Sequence, residues 1–355
     1  MSESAAQPES GSAVVEPVEV LRQAIAWKKD SPLVALVTIV KAWPTAPMRA
    51  GSQMAVHADG RRCGSVFGPA LDARVGAAAI EALAADQDRT LSLAVDDATA
   101  SAAGLACGGG LEIRLEPLRD GPQGNARALG QTLDAVQRQR GVVLCTALGD
   151  SRRMVVATDS PDGDAWTVEA LQRARADQTG IALVDGQEVL FQVFNAPLRL
   201  FVVGAVRIAA ALVDAALLLG FEVSVIDPRP ERAHSMPFAG ARVLVGPAAE
   251  ALREMALDER CAVVLLSHAP EIDDPALVRA LTSRAFYIGA LGSRRTHAAR
   301  LARLEAAGLG AQVTARIHGP AGLPIGAIGP AEIAASIVAE IIAVLRRGEA
   351  SARSR

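Results

Sequence analysis

Three stretches of the chain and one lone histidine carry residue types that do chemistry. Cys107 is followed directly by Gly108, Gly109 and Gly110. Glycine amides beside a thiol stabilise a thiolate or a bound anion, and a thiolate is the form that ligates a soft metal or sulfur. Gly204, Val206 and Ala209 stand where a dinucleotide fold places its three turn positions, but the middle one is β-branched. Asp227 closes the following strand, where an acidic side chain takes up a ribose hydroxyl, and Arg229 comes two residues later. The third stretch is Gly289, Gly292, Ser293 and Arg294, with Arg295 behind them. A glycine loop opening a helix, with two guanidinium forks, makes a better anion site than the first turn. The plain alternative there is a capped helix with solvated arginines. His268 follows a strand at the edge where parallel sheets bind ligands.

Other reactive residues read as structural. The histidines show no metal-ligand spacing: His318 is a weaker candidate than His268, and His57, His234 and His297 look like surface residues. Cys63, Cys145 and Cys261 fall in or beside strand patterns and are expected in cores. Asp96–Asp97 and Asp273–Asp274 suit turns or helix caps, and Glu332 and Glu340 serve the last helix, with Glu340 partly exposed. Spacing assembles no Ser–His–Asp set and no close carboxylate pair.

The elements that must position these groups divide the chain in two. A helix over about 18–29 precedes the apolar run Leu33–Val40, a buried strand. A hairpin follows at Gln53–His57 and Arg61–Val66, turning at Asp59-Gly60. A helix over about 71–85 and strands near 90–95 and 111–115 complete a compact α+β pattern. A middle segment from about 120 adds helices over 126–140 and near 168–176, with strands at 142–146, 153–158 and around Ala182 and Val189. From Leu198 the rhythm becomes strict strand–helix alternation, which implies a parallel, doubly wound sheet. Its strands are expected at 200–203, 222–226, 242–245, 262–266 and 285–288. Its helices are expected at 205–219, 248–256, 274–282, 295–307 and 330–346. In the last helix Ile333, Ile337, Ile341 and Leu345 share one face. The expected fold class is therefore α/β: an N-terminal α+β domain over 16–196, then a Rossmann-like doubly wound domain over 197–347. Residues 1–15 are expected to form a disordered tail and 348–355 a frayed one.

Composition narrows the function classes. Half the residues are hydrophobic but only 3% are aromatic, so aliphatic packing must build the cores. The net charge of -3, with no sustained basic stripe, argues against a nucleic-acid partner. The longest apolar stretch is broken by Arg207, Asp214 and Glu222, so no membrane span is expected. The start of the chain has no basic region followed by an apolar run, hence no secretory signal is expected. Four scattered cysteines argue against both a zinc site and a secreted disulfide framework, which makes the cytoplasm the expected location.

Several motifs together resemble one family. They are Ala46-Pro47, Gly51-Ser52-Gln53-Met54, Gly64-Ser65-Val66 and Leu105-Ala-Cys-Gly-Gly109 in the first half. In the second they are Phe286–Arg295, Gly322-Leu323, Ile325-Gly326 and Pro330–Glu340. Taken in order they resemble the XdhC/CoxI family of accessory proteins for molybdenum hydroxylases, over about residues 33–346. The resemblance implies a non-enzymatic maturation chaperone that binds the molybdenum cofactor transiently and passes it to an apo molybdenum hydroxylase. It also implies a cysteine desulfurase as a second partner. Under it the cofactor-binding residues are Gly51, Ser52, Gln53, Cys107, Gly108, Gly109, Gly204, Asp227, His268, Gly289, Gly292, Ser293 and Arg294, with Cys107 as the ligand of molybdenum or sulfur. A homodimer is compatible with such a site. Two motifs depart from the family pattern. Phe67-Gly68-Pro69-Ala70 stands where the family has Ser-Gly-Gly-Cys, and Gly204-Ala-Val-Arg207 where it has Gly-Ala-Gly-His. These losses keep two alternatives open: an NAD(P)-dependent oxidoreductase, which Val206 disfavours, and a partner-binding scaffold that has lost its cofactor.

Overall fold

The computed structural model describes residues 15–31, 33–46, 48–96, 108–121, 124–150, 152–161 and 163–347. It divides into two compact units, one of residues 1–174 and 178–195, the other of 175–177 and 196–355.

The first unit holds two antiparallel sheets. In chain order its elements are α1 (Pro17–Asp30), β1 (Val34–Ala42), β2 (Gln53–His57), β3 (Arg62–Gly64), α2 (Pro69–Ala85), β4 (Arg89–Val95), β5 (Gly109–Pro117), α3 (Asn125–Gln137), β6 (Val142–Ala147), β7 (Arg153–Ala157), α4 (Ala165–Ala176), β8 (Gly180–Val184) and β9 (Gln187–Phe194). The five-stranded sheet runs β3-β2-β1-β5-β4 and the four-stranded sheet β7-β6-β9-β8. β1 is apolar at nearly every position because both its faces are covered. Ala35, Val37 and Ile39 pack with Val75 and Ala79 of α2, while Val34 and Leu36 pack with Leu21 of α1, Leu129 of α3 and Leu144 of β6. The segment from 120 to 195 therefore shares a core with the first 120 residues. α4 covers the other face of the second sheet through Trp166, Ala170 and Leu171.

The second unit is a parallel sheet with helices on both faces. Its strands are β10 (Arg199–Val203), β11 (Glu222–Asp227), β12 (Arg242–Val245), β13 (Cys261–Leu265), β14 (Tyr287–Ala290) and β15 (Ile317–His318). Its helices are α5 (Arg207–Leu218), α6 (Pro230–Ala233), α7 (Ala248–Glu254), α8 (Pro270–Leu281), α9 (Arg294–Ala306), α10 (Ala311–Thr314) and α11 (Pro330–Arg347). Strand order is β12-β11-β10-β13-β14-β15, so the order reverses between β10 and β13. That reversal opens the crevice where doubly wound sheets bind ligands. α5 and α11 cover one face and α7, α8 and α9 the other. On α11, Ile337 and Ile341 are fully buried, each worth about 2 kcal/mol of apolar burial.

Departures from the expected boundaries have local causes. α5 starts at Arg207 rather than 205 because Gly204–Val206 form the turn that leaves β10. It ends before Gly220, whose positive φ of 81° suits the residue after a helix C-cap. α8 begins at Pro270 rather than 274, with Pro275 accommodated in its second turn. α6, α10 and the two-residue β15 are too short to carry any periodic signal.

Candidate functional site

In the first unit, three segments converge at one end of the larger sheet. β5 starts at Gly109, opposite Val95 of β4. A Cβ on Gly109 would lie 2.4 Å from Trp43 Cγ, so only glycine lets this backbone rest on the indole ring. Trp43, just past β1, meets Phe67 with ring centroids 5.8 Å apart. Trp43 Nε1 is buried and has no hydrogen-bond partner among the described residues. Cys107 itself lies outside the described residues; Gly108, its neighbour, is half-buried.

Phe67 belongs to the loop that enters α2. Its amide and that of Val66 donate to Asp72 Oδ1 at 3.1 and 2.9 Å, and Ser65 Oγ donates to Oδ2 at 2.6 Å. These three donors form an anion nest at a helix start, and the chain fills it with its own carboxylate. Pro69 occupies the first helical position, where a missing N–H costs nothing.

Gly51 and Gln53 belong to the unit's interior polar layer, and Ser52 between them is half-buried. Gly51 is buried and its carbonyl accepts from Gln192 Nε2 at 3.3 Å. Gln53 is 2% exposed, and its Nε2 donates to Thr38 Oγ1 at 3.1 Å. Beyond them Arg114 Nε donates to Glu116 Oε1 at 2.6 Å, and Arg153 pairs with the same oxygen.

In the second unit, Gly204, Asp227 and His268 do come together at the reversal of strand order. Gly204 has φ +104°, and a Cβ there would lie 2.7 Å from Ser267 N. Asp227 is fully buried. Its Oδ2 accepts from Ala205 N and Arg229 Nη2, both at 2.8 Å, and its Oδ1 from Arg229 N at 3.0 Å and Nε at 2.8 Å. Burial pushes this carboxyl upward, but the Arg229 fork and the two amides outweigh it and hold the pKa below the usual carboxylate range. The acidic group expected to meet a ribose is thus saturated from within. His268 is exposed, in the left-handed region at φ +60°. Gly289 is buried within β14, while Ser293 and Arg294 are exposed at the start of α9, where Ser293 Oγ accepts from Thr296 N at 3.1 Å.

Several residues stand differently from their sequence-based expectation. Glu340 is a partly exposed residue of the last helix as expected, but it does more than serve that helix. Its Oε2 accepts from Tyr287 Oη at 2.6 Å and Gly322 N at 2.8 Å, and its Oε1 lies 3.1 Å from His318 Nδ1. It ties β14, β15 and the 319–322 turn to α11. Burial raises its pKa, but the His318 and Tyr287 hydrogen bonds bring it below the ordinary value. His318, the weaker candidate, is buried. His57 and His297 are half-buried rather than surface residues, since the first packs edge-on against Trp27 and burial pushes the His297 pKa down. Asp273 is buried and accepts from Ser267 Oγ at 2.6 Å, so it is no solvated cap. Cys145 and Cys261 are buried as expected, and burial pushes both thiols up to about 12. Cys63 is only half-buried. Among the described residues, no group of three or more His, Cys, Asp or Glu side chains could hold a metal ion. None of the described helices is long and apolar enough to cross a membrane.

The profile described as the XdhC Rossmann domain matches residues 200–341, and that of the XdhC and CoxI family matches residues 27–94. The chain belongs to the XdhC/CoxI family. It is 26% identical to the molybdenum cofactor insertion chaperone PaoD of Escherichia coli K12, over 87% of this chain and 82% of that protein. It is 28% identical to a probable xanthine dehydrogenase subunit of Bacillus subtilis 168, over 90% of this chain and 95% of that one. A crystal structure described as a xanthine dehydrogenase from Bacillus halodurans shares the fold, with a TM-score of 0.60 and 23% identity over 95% of this chain and 98% of that one. For this XdhC/CoxI chain, the departures from the family pattern now have local geometry. The loop that lacks the family's cysteine is braced by Asp72, and the turn that lacks its middle glycine is braced by Asp227 and Arg229.

Proposed function

We propose that this protein binds the molybdenum cofactor as cargo, protects it, and hands it to an apo molybdenum hydroxylase, acting as a chaperone rather than by turnover. One observation carries the reading. In a chain that is 3% aromatic, Trp43 and Phe67 meet beside Gly109, two residues after Cys107. A planar pterin stacks on such rings, the unpartnered Trp43 Nε1–H offers a donor to its polar edge, and the Cys107 thiolate supplies a soft ligand to molybdenum or sulfur. The similarity to PaoD agrees with this.

Under this reading Gly108 and Gly109 let the cargo approach the backbone. Gly51, Ser52 and Gln53 brace the interior, and exposed His268 at the crevice beside Gly204 meets a ligand or client. The cysteine desulfurase, the homodimer and the cytoplasmic setting are extensions of the same proposal. Ordinary NAD(P) binding is not favoured, because Asp227 has no lone pair left for a ribose.

The test is to purify the chain from cells grown with and without molybdate, denature it, and assay released pterin, molybdenum and nicotinamide. Pterin that is present in the wild type and lost in Cys107→Ala is the expected result. Absence of pterin under every condition, or stoichiometric nicotinamide, overturns the reading.

A further inference from the structure

Arg300, on the second turn of α9, is 3% exposed, yet its guanidinium makes a single hydrogen bond. Its Nη2 donates to Leu291 O at 2.8 Å, while Nε and Nη1 have no hydrogen-bond partner among the described residues. A buried charge with orphaned donors costs several kcal/mol unless something offsets it. Helical side chains lean toward the helix N-terminus, and the bond to Leu291 O puts this guanidinium under the segment that leads into α9. There, Ser293 caps Thr296 N, and the amides of Arg294 and Arg295 have no intrahelical acceptor. The side chains of Arg294 and Arg295 are exposed at the same helix start.

Burial pulls the Arg300 guanidinium pKa down, and the Asp273 and Asp274 carboxylates oppose that pull without hydrogen-bonding it. Asp274 is held by Arg303 Nε and Nη2 at 2.5 and 3.0 Å. Asp273 accepts from Ser267 Oγ, and burial pushes its carboxyl pKa up against the opposing pull of Arg300. His297, the other titratable neighbour, is pushed down by burial and then by Arg300 itself, toward neutral imidazole.

We propose that the Leu291–Arg294 segment, the first turn of α9 and the Arg300 guanidinium beneath them bind a phosphate group. The helix dipole, the free first-turn amides and one buried fork suit a tetrahedral dianion better than a carboxylate. Because Nε and Nη1 are covered, the Leu291–Ser293 segment shifts when the ligand engages them. The group is either free inorganic phosphate or the phosphate end of a larger molecule. Gly292, Ser293 and Arg294 are also residues that the family resemblance gives to the cofactor, so the proposal deepens the cargo reading, while its test is separate from pterin content.

The experiment uses the full chain, titrated at constant ionic strength with inorganic phosphate and with methyl phosphate, and read by phosphorus NMR line broadening and by melting temperature. Chloride is the control, which removes general screening. The wild type is expected to show saturable binding that raises its melting temperature. Arg300→Met, which fills the same space without a charge, is expected to melt no lower in the absence of phosphate, yet to bind phosphate at least about tenfold more weakly. Arg294→Gln, at an exposed position, loses about threefold. Binding of both ligands assigns the site to the phosphate end of a larger molecule, and binding of inorganic phosphate alone assigns it to the free anion; either supports a phosphate site. No saturable response in the wild type, or wild-type affinity in Arg300→Met, overturns it. A chain that carries pterin but ignores phosphate sinks this proposal alone, and the reverse pattern sinks only the cargo reading.

Discussion

Asp227 and Arg300 are both buried charges near the carboxyl edge of one parallel sheet, and the chain treats them in opposite ways. Four donors converge on Asp227, so its charge is answered wholly from within and its loop is closed. Arg300 gives one hydrogen bond and keeps two donors unanswered. Closed polar clusters hold a fold together, whereas open ones store a cost that a ligand relieves. The loop before α2 follows the Asp227 pattern, with Asp72 filling its own nest.

Substitutions can break that contrast, and Asp227→Ala should do so most strongly. It strands the Ala205 amide and the Arg229 guanidinium, so urea unfolding should show a loss of about 3–5 kcal/mol with an unchanged slope. Glu340→Gln comes next, at about 1–2 kcal/mol at neutral pH, since the amide keeps the shape but not the charge. Its pH dependence has a fixed sign. The folded pKa of Glu340 lies below its ordinary value, so its contribution is complete above the unfolded carboxyl's range and fades as pH falls through the folded value. The wild type should therefore lose more stability than Glu340→Gln as pH drops below about 4; parallel curves would remove Glu340 from the account. Val206→Gly restores the missing glycine and should change stability by less than about 1 kcal/mol, since glycine caps a helix better than valine but adds freedom to the unfolded chain. It should yield no NAD(P) binding by calorimetry, because Asp227 stays engaged. Arg300→Met should be nearly silent in stability without phosphate. A loss as large as that of Asp227→Ala would erase the distinction between closed and open sites.

The strand–helix rhythm of the second unit and the glycine at 204 are legible in the sequence because those are local signals. Turn geometry and period lie within a few residues of each other. Asp227 is placed by its position after Gly204, but its occupation by Arg229 is not, since a two-residue spacing does not say where a fork points. The partial exposure of Glu340 is legible but its role is not, because its partners, Tyr287 and His318, are far along the chain and meet it only when α11 packs on the sheet. Arg300 looks like one more basic residue on a polar helix. Its burial follows from the helix α8 packed beside it, which no window of sequence reports. Trp43 and Phe67 carry no sequence signal either, because a loop and a strand end bring them together.

The cargo reading rests on that aromatic pair, and pterin content tests it most directly. The measurement is pterin and molybdenum released per chain from the wild type, Trp43→Ala and Trp43→Phe, all purified with molybdate and checked for intact melting. Stoichiometric pterin in the wild type, its loss in Trp43→Ala and its partial return in Trp43→Phe are the predicted result. Equal pterin in the wild type and a well-folded Trp43→Ala, or none in any of the three, would contradict it.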